Sequence, residues 1–132
     1  MFSKDTLAGI FLSLGNYELL IEKDERLSIG YKVKLRISIR GSENFLLAVQ
    51  RSLIQNEITS KYIKKESKSR PRPILKIGGI QNIVYILQTF CRDLPNAKGD
   101  LDTFRKATRI VAEARHLRLD GLEDLFKLKE LM

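Results

Sequence analysis

The sequence predicts an α+β fold, and three observations carry that prediction. From Ile29 to Arg40, the residues Ile29, Tyr31, Val33, Leu35, Ile37 and Ile39 alternate with Gly30, Lys32, Lys34, Arg36, Ser38 and Arg40. A period of two is that of a strand with one dry face and one cationic face. Elsewhere apolar residues recur at helical spacing, as Phe45, Leu46, Val49 and Leu53 do, which marks one buried stripe on a helix. Segments of both kinds are interleaved in the order α-β-β-α-β-β-α-α-α, the signature of helices laid on an antiparallel sheet. A chain of 132 residues with no linker and no low-complexity tract suits one compact domain spanning 1 to 132.

Each element has a local reason. Asp5-Thr6 opens a helical pattern through about Leu14, which Gly15-Asn16 stops. Residues 17 to 22 read as a strand, and Lys23-Asp24-Glu25-Arg26 as the turn into the long alternating strand. Gly41 breaks that strand, and Ser42 is placed to cap the next helix. Residues 58 to 66 and 72 to 77 form a second strand pair around the basic stretch 64 to 72. Pro71 and Pro73 oppose helix and predict an edge strand there. Gly78-Gly79 ends the pair, and an apolar helix follows from about Ile80 to Phe90. Residues 94 to 99 are a turn, after which Asp100 is expected to cap a helix reaching about Leu117. A last amphipathic helix is expected over Leu122 to Leu131.

Composition narrows the function classes. Hydrophobic residues make up 43% and charged residues 30% of the chain, ordinary values for a globular protein. No apolar run approaches the roughly 20 residues of a membrane span, and no secretory signal is visible. The single cysteine, Cys91, has no internal partner for a disulfide. A cytoplasmic or organelle-matrix setting is expected, with no membrane partner. The 24 Lys and Arg against 16 Asp and Glu give a net charge of +8, which favours a polyanionic partner.

The first helix reads Leu7-Ala8-Gly9-Ile10-Phe11-Leu12-Ser13-Leu14-Gly15 and resembles the motif that names the LAGLIDADG homing endonucleases and intron maturases. Leu7, Ala8, Gly9 and Gly15 match the motif outright, and the element order of the whole chain is similar to that family's. Small residues at Gly9 and Ser13, four apart with Ala8 beside them, allow close helix approach. Spacing alone favours a contact inside one subunit's core. The resemblance implies instead that two such helices pack at a twofold axis. With one motif present, it implies a homodimer whose interface contains Leu7, Ala8, Gly9, Leu12 and Ser13. The resemblance also implies a curved antiparallel sheet seated in the DNA major groove.

The family's acidic letters are replaced here. The sixth and eighth motif positions are Leu12 and Leu14, and the eighth-position carboxylate helps hold catalytic divalent metals in family nucleases. Leucine can neither ligate a hard cation nor take a proton. Ile39 aligns, within one residue, with a water-orienting glutamine of many members. Cys91-Arg92-Asp93 replaces a Lys-rich turn. Asp5, Glu18 and Glu22 are read as a helix start and a solvated strand face rather than a substitute metal centre. No catalytic residue, metal or other cofactor is therefore expected.

Lys32, Lys34, Arg36, Ser38 and Arg40 project to one side at roughly 6.6 Å intervals. They suit phosphates and guanine edges. A solvated strand face usually mixes signs, whereas this strand carries no acid. Lys61, Lys65, Arg70, Arg72 and Lys76 extend the same field, although the 64 to 72 loop also reads as a solvated basic turn. His116 lacks companion metal ligands, Cys91 reads as buried, and Tyr17, Tyr62 and Tyr85 do not make a single-strand stacking platform. The leading expectation is a non-cleaving, sequence-selective double-stranded DNA-binding homodimer. Structured RNA as the partner, as for a maturase or ribosome-associated factor, an endonuclease using Glu18 or Glu22, and a structural homodimer stay open.

Overall fold

The computed structural model describes residues 1–92, 94–96 and 98–132. Its element order is α1 (Lys4–Leu14), β1 (Asn16–Lys23), β2 (Tyr31–Arg40), α2 (Glu43–Gln55), β3 (Lys61–Ile63), β4 (Ile74–Gly78), α3 (Ile80–Thr89), α4 (Leu101–Ala112), a 3-10 turn (Arg115–Leu117) and α5 (Leu119–Glu130). The four strands form one antiparallel sheet in the order β1-β2-β4-β3. The α+β class and the order of elements agree with the sequence.

Side chains at directly opposed positions of an antiparallel ladder point to the same face. The register therefore sorts the sheet into two faces. Tyr17, Leu19, Leu35, Ile37, Ile39, Leu75 and Ile77 lie on one face and join a continuous core with residues of the helices. That core includes Leu7, Ile10 and Phe11 of α1, Leu46, Val49 and Leu53 of α2, Ile83 and Ile86 of α3, Phe104 and Ala107 of α4, and Leu125 of α5. The helices thus cover one face and leave the other open.

Local chemistry explains most boundaries. Ser3 Oγ accepts from Thr6 N–H at 3.2 Å to start α1, and Ser42 Oγ accepts from Phe45 N–H at 3.3 Å to start α2, as N-caps do. At the end of α1, Tyr17 donates its hydroxyl to the Phe11 carbonyl at 2.9 Å. A Cβ on Gly15 would lie 2.4 Å from that same carbonyl oxygen, so the last glycine of the motif is required by space. Burial pushes the Tyr17 hydroxyl far above its ordinary range. Cys91 is fully buried, 3.5 Å from that hydroxyl, and burial likewise pushes its thiol up.

Four expectations are corrected. The third strand is Lys61–Ile63 rather than 58 to 66, because Glu57 turns the chain at φ 60° and Ile58 is buried in the core. The strand after the prolines, β4, lies inside the sheet, and β3 is the edge. Pro73 precedes the first ladder residue, Ile74, and so withholds no donor from the ladder. Asp100 makes no side-chain cap; Asn96 Oδ1 takes the Leu101 N–H at 3.2 Å instead. Finally, α4 ends at Ala112 rather than Leu117, because Ala114 adopts a left-handed φ of 59°, and α5 begins at Leu119. The turn expected over 94 to 99 includes Ala97, and the replacement segment Cys91-Arg92-Asp93 includes Asp93; both residues lie outside the described ones. No helix of the described chain is long and apolar enough to cross a membrane.

Candidate nucleic-acid interface

The open face of the sheet is assembled from all four strands. Along β2 it carries Lys32, Lys34, Arg36, Ser38 and Arg40, and the register sets their neighbours. Lys32 faces Glu22, Lys34 faces Leu20, Arg36 faces Glu18 and Ser38 faces Asn16. Across the other edge of β2, Ser38 faces Lys76 and Arg40 faces Ile74, and Lys76 in turn faces Lys61 on β3. A row Asn16–Ser38–Lys76–Lys61 therefore crosses the whole sheet. Two lysines directly opposed destabilise a sheet unless a counter-charge meets them.

Reading β2 by itself gave a strand without acids; the assembled face has three. Glu18 accepts from Arg36 Nη2 at 2.7 Å and from Ser38 Oγ at 3.2 Å. Glu22 stands 3.7 Å from Lys34. Glu66, from the β3–β4 loop, accepts from Arg40 Nε and Nη2, each at 2.8 Å. The Arg40 guanidinium holds the Glu66 carboxyl below the usual carboxylate range, with Arg70 and Lys76 adding to it. Three of the four β2 cations are thus ion-paired. Lys32, Lys61, Lys65, Arg70, Arg72 and Lys76 have no ion-pair partner among the described residues. Sequence reasoning missed Glu66 as a partner, and gave Glu18 and Glu22 only a solvated role, since their pairing with Arg40, Arg36 and Lys34 exists only once the strands and the β3–β4 loop are assembled.

Two site residues sit differently from their expected roles. Ser38 is completely buried, wedged between Glu18 and the row of lysines, so its hydroxyl is spent inside the face. Leu7 is also completely buried in the core, so it cannot line an interface between subunits. The outward side of α1 is made of Gly9 and Ser13, which are exposed, with Ala8 and Leu12 half-buried beside them. A Cβ on Gly9 would meet nothing within 4 Å, so no side chain of the same chain covers that backbone.

The chemistry expected of a nuclease has little to work with here. Leu14, at the C-terminal end of α1, is 43% exposed, and its apolar side chain offers no ligand. Ile39 points into the core with no exposure, away from the open face. Among the described residues, no three His, Cys, Asp or Glu side chains converge as a metal centre requires. The residues present do not fit the divalent metals that the resemblance implies. A separate cleft of about 530 Å³ lies between α3 and α4, lined in part by Arg92, Arg105 and Arg109. Arg105 already donates to the carbonyls of Cys91 and Leu94, so its guanidinium is structural.

No protein-family model matches the chain, nor does any curated protein sequence. Solved structures match it closely in shape. The homing endonuclease I-TnaI superposes with a TM-score of 0.83 at 16% identity, over 99% of this chain and 88% of that one. The LAGLIDADG meganuclease I-CpaMI bound to uncleaved DNA gives 0.77 at 22% identity, over 98% of this chain and 43% of that one. The LAGLIDADG homing endonuclease I-LtrWI bound to target DNA gives 0.80 at 16% identity, over 99% of this chain and 44% of that one. The chain spans under half the length of these last two. It has the LAGLIDADG homing endonuclease fold.

Proposed function

We propose that this protein is a sequence-selective double-stranded DNA-binding protein that uses the open face of its sheet, works as a homodimer through α1, and does not cleave DNA. The observation that supports this most is the face itself, with eleven cations on the open side of the strands and the β3–β4 loop against three carboxylates. The eight cations of this face and loop that have no ion-pair partner among the described residues supply affinity for phosphates, which is independent of sequence and sensitive to salt. The Arg36–Glu18 pair offers both a donor fork suited to guanine and an acceptor suited to a cytosine amino group. Two structures of this fold, I-CpaMI and I-LtrWI, are of complexes with DNA, which supports the same use of the fold here.

The homodimer reading draws on Gly9, whose open backbone lets a second α1 approach closely. The non-cleaving reading draws on Leu12 and Leu14, which stand at the motif's acidic positions.

The test is selection from a random duplex library in magnesium buffer, with bound molecules examined for enriched sequence and for strand breaks. The expected result is an enriched, uncut pseudo-palindrome. Cleaved products would overturn the reading of Leu12 and Leu14. Enrichment of structured RNA in a parallel selection, with none of duplex, would move the function to RNA.

A further inference from the structure

The loop between β3 and β4 is the most basic stretch of the chain. Residues 64 to 73 carry Lys64, Lys65, Lys68, Arg70 and Arg72, and Glu66 is the one acid among them. Five cations in so short a stretch repel one another and drive a loop outward. This loop is nonetheless closed on itself. Glu66 N–H donates to the Arg72 carbonyl at 2.9 Å and Ser67 N–H to the Arg70 carbonyl at 3.0 Å, while Arg70 N–H donates to Ser67 Oγ at 3.0 Å.

Glu66 sits at the neck of that closed unit and is its tie to the sheet. Both of its carboxylate oxygens are engaged by the Nε–Nη2 edge of Arg40, the bidentate geometry that gives the strongest and most directional of ion pairs. The Glu66 side chain is 18% exposed, so the pair is shielded rather than adrift in solvent. Arg40 stands at the end of β2, in the row Arg40–Ile74–Ile63, where the loop leaves β3 and re-enters β4. Ile74 lies on the open face and outside the helix-side core, yet it is only 1% exposed. Something on the open side therefore covers it, and the paired Arg40 and Glu66 stand at that spot.

We infer that Arg40 and Glu66 form a latch that holds the β3–β4 loop against the sheet, so that the loop's cations meet the same duplex as Lys32, Lys61 and Lys76. In this role Arg40 is a positioning residue for the loop. It does not read a base, although the sequence placed it among the contacts. The inference rests on the duplex-binding reading above.

The test exploits a conflict of sign. Glu66→Gln removes a negative charge beside a polyanion-binding face, so electrostatics alone predicts tighter binding. The latch predicts the opposite: binding weakened by about tenfold, with the slope of log affinity against log salt shallower by about one to two, as loop contacts are lost. Arg40→Gln gives the same loss, the double substitution gives little more than either, and the charge exchange Arg40→Glu with Glu66→Arg recovers part of it. Hydrogen exchange on the free protein reads the latch without DNA: the Glu66 and Ser67 amides lose protection in both single variants. Tighter duplex binding by Glu66→Gln, or unchanged protection in that variant, overturns the latch. If the unsubstituted protein binds no duplex, the duplex-binding reading falls and takes the loop's DNA role with it, while the exchange result still decides whether the latch exists.

Discussion

Replacing Gly9 with leucine separates what α1 does within one chain from the contact between two chains proposed for it. Within one chain the substitution favours folding. Gly9 is exposed on a helix and a Cβ there meets nothing within 4 Å, so the new side chain enters open space. A glycine inside a helix is about 0.8–1.0 kcal/mol less favourable than alanine, and leucine ranks near alanine. The isolated subunit should therefore become more stable by roughly 0.5–1 kcal/mol. Between two chains the same side chain intrudes wherever the helices meet. Overpacking costs about 1–3 kcal/mol per site, and a twofold dimer has two such sites. At 1.4 kcal/mol per tenfold, the dimer dissociation constant should rise by about thirtyfold or more. Sedimentation velocity over a dilution series gives the constant. Denaturant unfolding at a concentration below dissociation gives subunit stability. An unchanged dissociation constant would refute the role given to α1, and a loss of subunit stability would show that Gly9 is buried within the chain after all.

Three further expectations concern the subunit itself. Tyr17→Phe removes the hydroxyl that donates to the Phe11 carbonyl at 2.9 Å, and urea unfolding should show a loss of about 1 kcal/mol, with Cys91 slow to alkylate until the chain unfolds because its thiol is buried and its pKa raised. Gly121→Ala would place a Cβ 1.9 Å from the Arg115 carbonyl oxygen. Because backbone has to move to relieve that contact, thermal unfolding should report a destabilisation of roughly 3 kcal/mol or more. The Glu66 carboxyl is lowered in the folded chain by its bond to Arg40. Its contribution is therefore fully present above the unfolded carboxylate value and is lost as pH falls through the lower folded value. Protection of the 64 to 73 amides should accordingly survive at neutral pH and fail only below about 4.3; failure near pH 6 would contradict the pairing.

Much of the fold was legible because the core is periodic. The alternation in β2 marks its buried side, and Ile37 and Ile39 are indeed fully buried, although the strand starts at Tyr31 rather than Ile29. Serine at position 42 marks a helix start through a local bond that needs no tertiary information, whereas the cap of α1 is Ser3, ahead of the start expected at Asp5-Thr6. The breaks that went unseen have no local cause. Ala114 takes a left-handed conformation that alanine does not favour, and seven residues on Gly121 packs so tightly against the Arg115 carbonyl that a Cβ would lie 1.9 Å from its oxygen. The open face was legible as cationic and illegible as paired. Glu18 and Arg36 are 18 positions apart and Arg40 and Glu66 are 26 apart; the strand register brings the first pair together and the closed β3–β4 loop the second. Leu7 shows the same limit: its place in the motif suggests an interface, and the turn of α1 puts it in the core.

The most direct test of the central claim is the salt dependence of binding to a selected duplex, measured in magnesium with strand integrity read from the same samples. If six of the unpaired cations of the open face and the β3–β4 loop each meet a phosphate, the slope of log affinity against log salt should be about −5 per subunit. Replacing Lys32, Lys61 and Lys76 together by alanine should bring it up by about 3, with the DNA uncut throughout. A slope indifferent to those three lysines would place the interface elsewhere on the molecule, and cut strands would show that the chain still carries a nuclease.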